Sequence, residues 1–364
     1  MYQSEYISVE HCIGDLCPVF KVCPSRSDWS KKDKKDVQRM TSIEHLNGRS
    51  EPFSIAPAGG SELSLPMLVQ ATPGQSIHDL DASIRDSLPH ALTTIGGALF
   101  RGFTVATPID FKRFAASFGA PLASYEFGST PRSKVFAGVY SSTEYPAHQF
   151  IPLHNEQAYT RPWPSRIWFH CIKASETGGE TPIADSRLIY QRMPAEIREL
   201  FASRELLYVR NYSGALDLPW QKVFNTEDRA QVERYCQDND IEWEWKADGD
   251  LRTRQRCAAV LQHPDSGEWV WFNQAHLFHV SAIEPGVRAS LLAAVGEENL
   301  PRHVYFGDGS AIPDEVLDTV REVYRQTAIS FPWQPGDILM LDNRLVAHGR
   351  NPYTGDRKVI VAMA

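Results

Sequence analysis

The C-terminal stretch Gly336-Asp-Ile-Leu-Met-Leu-Asp-Asn-Arg-Leu-Val-Ala-His348-Gly-Arg-Asn-Pro-Tyr-Thr-Gly355-Asp-Arg357-Lys-Val-Ile-Val-Ala-Met-Ala364 sets two apolar runs on either side of one histidine and a turn. Short aliphatic runs bounded by Gly, Pro, Asn and Asp read as buried strands, here at 337–342 and 357–363, with Asn351 to Gly355 as the turn between them. Working outward, the same signal predicts strands at 165–172, 206–212, 256–262 and 268–273. Amphipathic spacing predicts helices at 109–118, at 227–237 behind a Thr226 cap, at 286–297, and at 313–326 with Pro313 in the first turn. Many strands spread along the chain point to a β-sandwich or barrel with helices packed outside it.

A chain of 364 residues that is 42% apolar can bury a large core. The N-terminus has neither the basic start nor the apolar run of a secretory signal, and no apolar run is long enough to span a membrane, so the expected location is cytoplasmic. Six scattered cysteines fit a reducing compartment. A net charge of −8 and a pI near 5.9 argue against nucleic-acid or anionic-membrane binding and for a small-molecule substrate. Residues 1 to about 45 read as an N-terminal extension that contains the charged run at 27–36. Within it, Cys12, Cys17 and Cys23 beside His11 lack the usual zinc-knuckle spacing.

Chemistry enters at Ile151-Pro-Leu-His154-Asn-Glu156-Gln157. On an extended strand, residues two apart face the same side, so His154 and Glu156 can converge on one ion. A remote histidine, His348, completes a two-His-one-carboxylate triad, which leaves coordination positions open. Across the turn, Arg357 can reach back toward the same cavity, where its planar fork suits a carboxylate.

Six blocks follow one another along the chain: Gly97-Ala-Leu-Phe-Arg-Gly-Phe103, His154-Asn-Glu156, Gly178-Gly-Glu-Thr-Pro-Ile-Ala-Asp-Ser-Arg187, His263-Pro-Asp-Ser-Gly267, Trp271-Phe-Asn-Gln274, and His348 through Arg357. In these blocks the sequence resembles the taurine and 2,4-dichlorophenoxyacetate dioxygenase (TauD/TfdA) family, a branch of the clavaminate-synthase-like 2-oxoglutarate oxygenases. The resemblance runs from Gly96 to Ala364. It implies a mainly β fold with flanking helices, a double-stranded β-helix or distorted jelly roll, occupying 46–364 with a helical or lid insertion at about 186–256. It implies Fe(II) with 2-oxoglutarate and dioxygen as cosubstrates, His154, Glu156 and His348 as iron ligands, and Thr181 and Arg357 as holders of the distal carboxylate of 2-oxoglutarate. Arg350 and Lys358 compete with Arg357 for that role, and the bland alternative for Thr181 is a turn residue after its two glycines. Many relatives have Asp where Glu156 stands. Relatives that halogenate carry a small residue there, so Glu156 argues for hydroxylation.

Within the family, the fuller strings resemble bacterial enzymes of nonribosomal-peptide pathways, the syringomycin-type amino acid hydroxylases. That implies oxidation of an amino acid or derivative, free or tethered to a peptidyl carrier protein. Arg252, Arg254 and Arg256 alternate along a strand and could meet a substrate carboxylate or a phosphopantetheine phosphate; a solvated strand face explains them equally well. Trp271, Phe272, His276, Phe278 and His279 could line a pocket, although core packing is the commoner fate of such clusters. Desaturation or epoxidation by the same iron centre stays open, as do a zinc hydrolase using the same ligands and a non-catalytic binding protein. The sequence leaves the oligomeric state open.

Overall fold

The computed structural model describes residues 53–57, 65–72, 74–80, 82–123, 132–143, 145–214 and 216–364. The 1–45 extension, with its cysteines and charged run, lies outside the described residues.

The two C-terminal apolar runs become neighbours of one central strand. An eight-stranded sheet runs in the order Phe53–Pro57, Met67–Ala71, Gly97–Arg101, Ile338–Asp342, Arg166–Lys173, Lys358–Met363, Val139–Ser141 and Lys134–Phe136. All neighbouring pairs are antiparallel except Met67–Ala71 with Gly97–Arg101. All five residues of Ile338–Asp342 are buried, which is why this strand lacks the apolar–polar alternation of a half-exposed one. Helices Ala82–Ile95 and Pro108–Ala116 join the same core through Leu88, Leu92, Ile95, Phe111 and Phe114. The second helix starts where the sequence dictates. Thr107 and Asp110 form a reciprocal capping box, and Pro108 occupies the first turn, where no backbone donor is missed.

A three-stranded antiparallel sheet of Ile151–His154, Val346–Arg350 and Ile183–Asp185 carries the site. Alternate side chains leave it on opposite faces. Ile183 and Val346 enter the core of the long sheet, whereas Leu153, Ala184 and Ala347 enter a second core. That second core lies under an outer antiparallel sheet of Glu242–Trp245, Leu251–Cys257, Leu206–Tyr212 and Arg302–Phe306. The segment 186–256 contributes three of these strands and the helices Ser186–Arg192, Ala195–Arg204, Trp220–Val223 and Arg229–Asp238. Helix Asp314–Thr327 closes this core with the stripe Leu317, Val320, Val323, Tyr324 and Thr327, the spacing of one helical face.

Three local expectations change. The strand expected at 256–262 is two, because the chain bends at Ala259, whose carbonyl accepts from Asn273 Nδ2 and Phe272 N. Leu251–Cys257 therefore ends in the outer sheet, and Val260–Gln262 pairs with Trp269–Trp271. Asp228, not Thr226, caps helix Arg229–Asp238: its carboxylate accepts from Ala230 N, while Thr226 Oγ1 accepts from Asp228 N one step earlier. Pro313 stands just before the first turn of its helix, at the N-cap.

The chain is a mixed α/β protein built on several antiparallel sheets. No helix among the described residues is long and apolar enough to cross a membrane.

Candidate metal centre

His154 ends strand Ile151–His154 and lies directly opposite His348 in the antiparallel ladder, with ring centroids 4.6 Å apart. Glu156 does not lie on that strand. The chain turns after His154, so the expected strand alternation is not what brings His154 and Glu156 together. The turn is held by Asn343, which directly follows strand Ile338–Asp342 of the long sheet. Its Oδ1 accepts from Glu156 N at 2.7 Å, and its Nδ2 donates to Glu156 O at 3.0 Å and Pro164 O at 2.8 Å. Asn155, between the two site residues, points away and donates to Asn343 O and Ser186 Oγ.

One ligand atom from each of His154, Glu156 and His348 lies within 4.8 Å of the others, and no other such group of three occurs among the described residues. Protonation suits a cation. His154 Nδ1 donates to Pro152 O at 2.8 Å, which leaves Nε2 as the donor for a metal. Burial, with His348 close by, lowers the His154 pKa to about 4, so the ring is neutral. His348 directs Nε2 at Glu156 Oε2, 3.6 Å away, and packs on the ring of Phe169 at 5.0 Å. Burial works against the Glu156 carboxylate. The Arg132 guanidinium at 2.8 Å, helped by His348, outweighs it and holds the group well below the usual carboxylate range. The neutral His154 imidazole, the ionised Glu156 carboxylate and the second imidazole of His348 form a donor set that fits ferrous iron.

The cavity beside this triad is lined by Arg132, Ser142, Thr181, Gly349, Arg350 and Arg357, among others. Arg357 directly precedes the last strand. Its Nε donates to Gly179 O at 2.8 Å and its Nη1 reaches Ser142 Oγ at 3.4 Å. No carboxylate lies within ion-pair distance of it among the described residues, and burial, with Arg350 nearby, depresses its pKa to about 10. A half-buried guanidinium without a counter-ion carries a desolvation cost that a carboxylate would relieve. Thr181 is buried, and its Oγ1 accepts from Trp333 Nε1 at 3.2 Å. Its own proton is thereby left to donate. The two glycines before it are required by close approach: a Cβ on Gly178 would lie 2.1 Å from Pro352 O, and one on Gly179 2.3 Å from Ser175 Oγ, both at positive φ.

The competing cations are differently engaged. Arg350 donates to the carbonyls of Tyr145, Pro146 and Gln149 and holds that loop, whereas Lys358 is exposed. Arg252 and Arg254 are spent on Glu244, with Arg252 also bonded to Asn211 and Asn299. Arg256 is exposed. None of these three lies among the residues lining the cavity beside the triad. Trp271 and Phe278 are core, and His279 bonds to Ser281. Arg187, which closes the Gly178–Arg187 block, is structural: buried, it pairs with Asp185 and Glu268 and donates to Thr94 O.

Sequence reasoning missed Arg132, Asn343 and Trp333. Each reaches the site across a long loop of chain, and no local spacing marks any of them. Only the position of Asn343 next to the apolar run 338–342 could have drawn attention.

A largely buried His-Glu-His triad with a guanidinium on the wall of the same cavity is a donor set suited to a mononuclear non-haem metal centre. The chain belongs to the TauD/TfdA family: the model of that family, taurine catabolism dioxygenase TauD, matches residues 62–363. It is 42% identical over 288 residues to the dapdiamide synthesis protein DdaC of Enterobacter agglomerans, covering 78% of this chain and 88% of that one. It is 31% identical over 334 residues to a clavaminate synthase-like protein of Arabidopsis thaliana, covering 88% and 95% of the two chains. Among solved structures it resembles PvcB of Pseudomonas aeruginosa, an Fe, alpha-ketoglutarate dependent oxygenase, with a TM-score of 0.52 at 17% identity over 86% of this chain and 92% of that one. The protein is an Fe(II)/2-oxoglutarate-dependent dioxygenase.

Proposed function

We propose that this enzyme hydroxylates an amino acid or amino-acid derivative, free or carrier-tethered, in natural-product biosynthesis. In this reading His154, Glu156 and His348 hold the iron, and Thr181 and Arg357 anchor the distal carboxylate of 2-oxoglutarate. The observation that carries it is the His154, Glu156 and His348 cluster, whose two histidines line one cavity with Arg357 and Thr181. The natural-product assignment is supported by the similarity to DdaC, and its amino-acid substrate by the likeness of the quoted strings to the syringomycin-type hydroxylases. Hydroxylation rather than halogenation is supported by the carboxylate at position 156. For the architecture we infer a double-stranded β-helix, with the eight-stranded and three-stranded sheets as its two faces, residues 46–364 as the catalytic domain and 186–256 as substrate-covering structure.

When bound, the iron would use dioxygen as the oxidant for one substrate C–H bond, 2-oxoglutarate supplying two electrons and the substrate two, with one oxygen atom going to succinate as carbon dioxide is lost and the other to the hydroxylated product. The chain's own residues bind and orient. Arg132 keeps Glu156 ionised. Gly179 O orients the Arg357 fork, and Trp333 orients the Thr181 hydroxyl. With Arg132 paired to Glu156, Arg357 is the cation that favours the dicarboxylate cosubstrate on this wall.

The test is anaerobic titration with ferrous iron and 2-oxoglutarate, following the visible metal-to-ligand charge-transfer band. The band is expected in the parent, absent in His154→Ala, and formed only at higher 2-oxoglutarate in Arg357→Ala. No band in folded, metal-loaded parent protein overturns the assignment. Amino acids and carrier-bound aminoacyl thioesters that perturb the band then identify the substrate.

A further inference from the structure

The stretch Trp271-Phe-Asn-Gln-Ala-His-Leu-Phe-His279 has no part in the site described so far, yet two of its side chains reach the metal-ligand strand. Gln274 Nε2 donates to Asn155 O at 2.7 Å, and His276 Nε2 donates to Leu153 O at 2.9 Å. These carbonyls belong to the residues on either side of His154. Both donors are buried, Gln274 at 4% exposure and His276 at 3%, so neither bond has water as a ready substitute.

The donors are themselves fixed. Gln274 N donates to Tyr208 OH at 2.8 Å, and Asn273 ties the turn to Ala259 O. The His276 ring stacks on Tyr324 with centroids 4.3 Å apart, and its carbonyl accepts from Arg321 Nε and Nη2. His276 Nδ1 is buried without a hydrogen-bond partner. A neutral imidazole carries one N–H, and a bond to a carbonyl requires that it sit on Nε2. The ring therefore acts as a donor aimed at one backbone oxygen, and its one ring lone pair, on Nδ1, has no hydrogen-bond partner.

We propose that Gln274 and His276 are positioning residues of the metal centre: they grip the two carbonyls flanking His154 and set where its imidazole meets the metal. The proposal rests on His154 being an iron ligand. Together with Asn343 on Glu156, the grip holds the backbone of Leu153, Asn155 and Glu156 through neutral side-chain amides and an imidazole. It also ties the ligand strand to the second core, since Tyr208 lies in the outer sheet and Tyr324 and Arg321 lie on helix Asp314–Thr327. A site must hold its ligands to about half an ångström, and a carbonyl released from such a donor rotates its peptide plane and the next residue with it.

The experiment uses the full chain and Co(II) as the probe, reading affinity and the visible ligand-field spectrum, with metal-free melting as the measure of fold. His276→Phe keeps the aromatic stack and deletes the donor; Gln274→Met keeps the volume and deletes the amide. Each is expected to weaken Co(II) about 10- to 100-fold and to shift the spectrum while remaining folded without metal. His276→Gln, which restores a donor, is expected to recover most of the affinity. Parent-like affinity and spectrum in folded His276→Phe and Gln274→Met overturn the proposal. Should His276→Phe fail to fold, Gln274→Met decides by the same comparison. His154→Ala separates the two readings. If it binds Co(II) like the parent, the ligand assignment fails and this proposal with it. If it loses Co(II) while both positioning variants keep it, only this proposal fails.

Discussion

The two halves of the site are built by different means. On the metal half, the backbone from Leu153 to Glu156 is met by Asn343, Gln274 and His276, all neutral and buried. On the half proposed for the cosubstrate, Arg132, Arg350 and Arg357 surround the cavity, held by carbonyls, a hydroxyl and one carboxylate. Neutral hydrogen bonds fix position at little electrostatic cost, whereas buried guanidinium groups store an attraction that only an anion satisfies. The metal half should therefore fail abruptly, and the cosubstrate half by degrees.

The largest effect should come from removing a ligand. His154→Ala and His348→Ala are each expected to lose more than about 100-fold in metal affinity, beyond the range for outer-shell changes, with turnover below detection. Equilibrium dialysis with metal analysis checks this, and a variant that kept its iron would break the contrast at its strongest point. Next, Arg357→Ala should raise the 2-oxoglutarate requirement about 10- to 100-fold, from roughly 1.5–3 kcal/mol per charged hydrogen bond. Metal affinity without cosubstrate should be nearly unchanged. Steady-state titration of 2-oxoglutarate reads the first, and direct metal titration the second.

Arg132 links the halves, and its effect should depend on pH. Metal binding needs the Glu156 carboxylate, which Arg132 holds ionised to well below the ordinary value of 4.5. In Arg132→Gln burial is no longer opposed by that charge, so the carboxyl pKa rises and protons compete with metal at a higher pH. The acid midpoint for metal loss should move up, with a small deficit near pH 8 that grows toward pH 5.5. An unchanged midpoint would mean that the imidazoles, not Arg132, set the carboxylate's charge. The smallest effect is expected from Trp333→Phe, which keeps an aromatic ring and removes the donor to Thr181. A loss of about 1 kcal/mol corresponds to a roughly fivefold higher 2-oxoglutarate requirement, with the iron site untouched.

Much of this arrangement is legible in the chain. The apolar runs around 338–342 and 358–363 and the amphipathic stripe of 314–327 appear where their spacing predicts, because burial on both faces or on one helical face imposes a local period. The reading of 151–156 as one extended strand fails for a physical reason: Asn343, distant by 187 positions, supplies the hydrogen bonds that make a turn at Glu156 favourable. Nothing in the neighbours of Glu156 encodes that partner. The split of 256–262 has the same origin, since Asn273 and Phe272 take the Ala259 carbonyl from across the hairpin.

By itself the sequence determined the donor chemistry, with two imidazoles, a carboxylate and a guanidinium in a recognisable order, because residue type fixes what an atom can ligate or donate. Only the tertiary structure showed that Arg350 is held by three loop carbonyls while Arg357 has one carbonyl and one hydroxyl, which arginine pairs with Glu156, and which buried side chains hold the backbone around His154. Those choices depend on distances between residues far apart in the chain, and distance is what the packed cores supply.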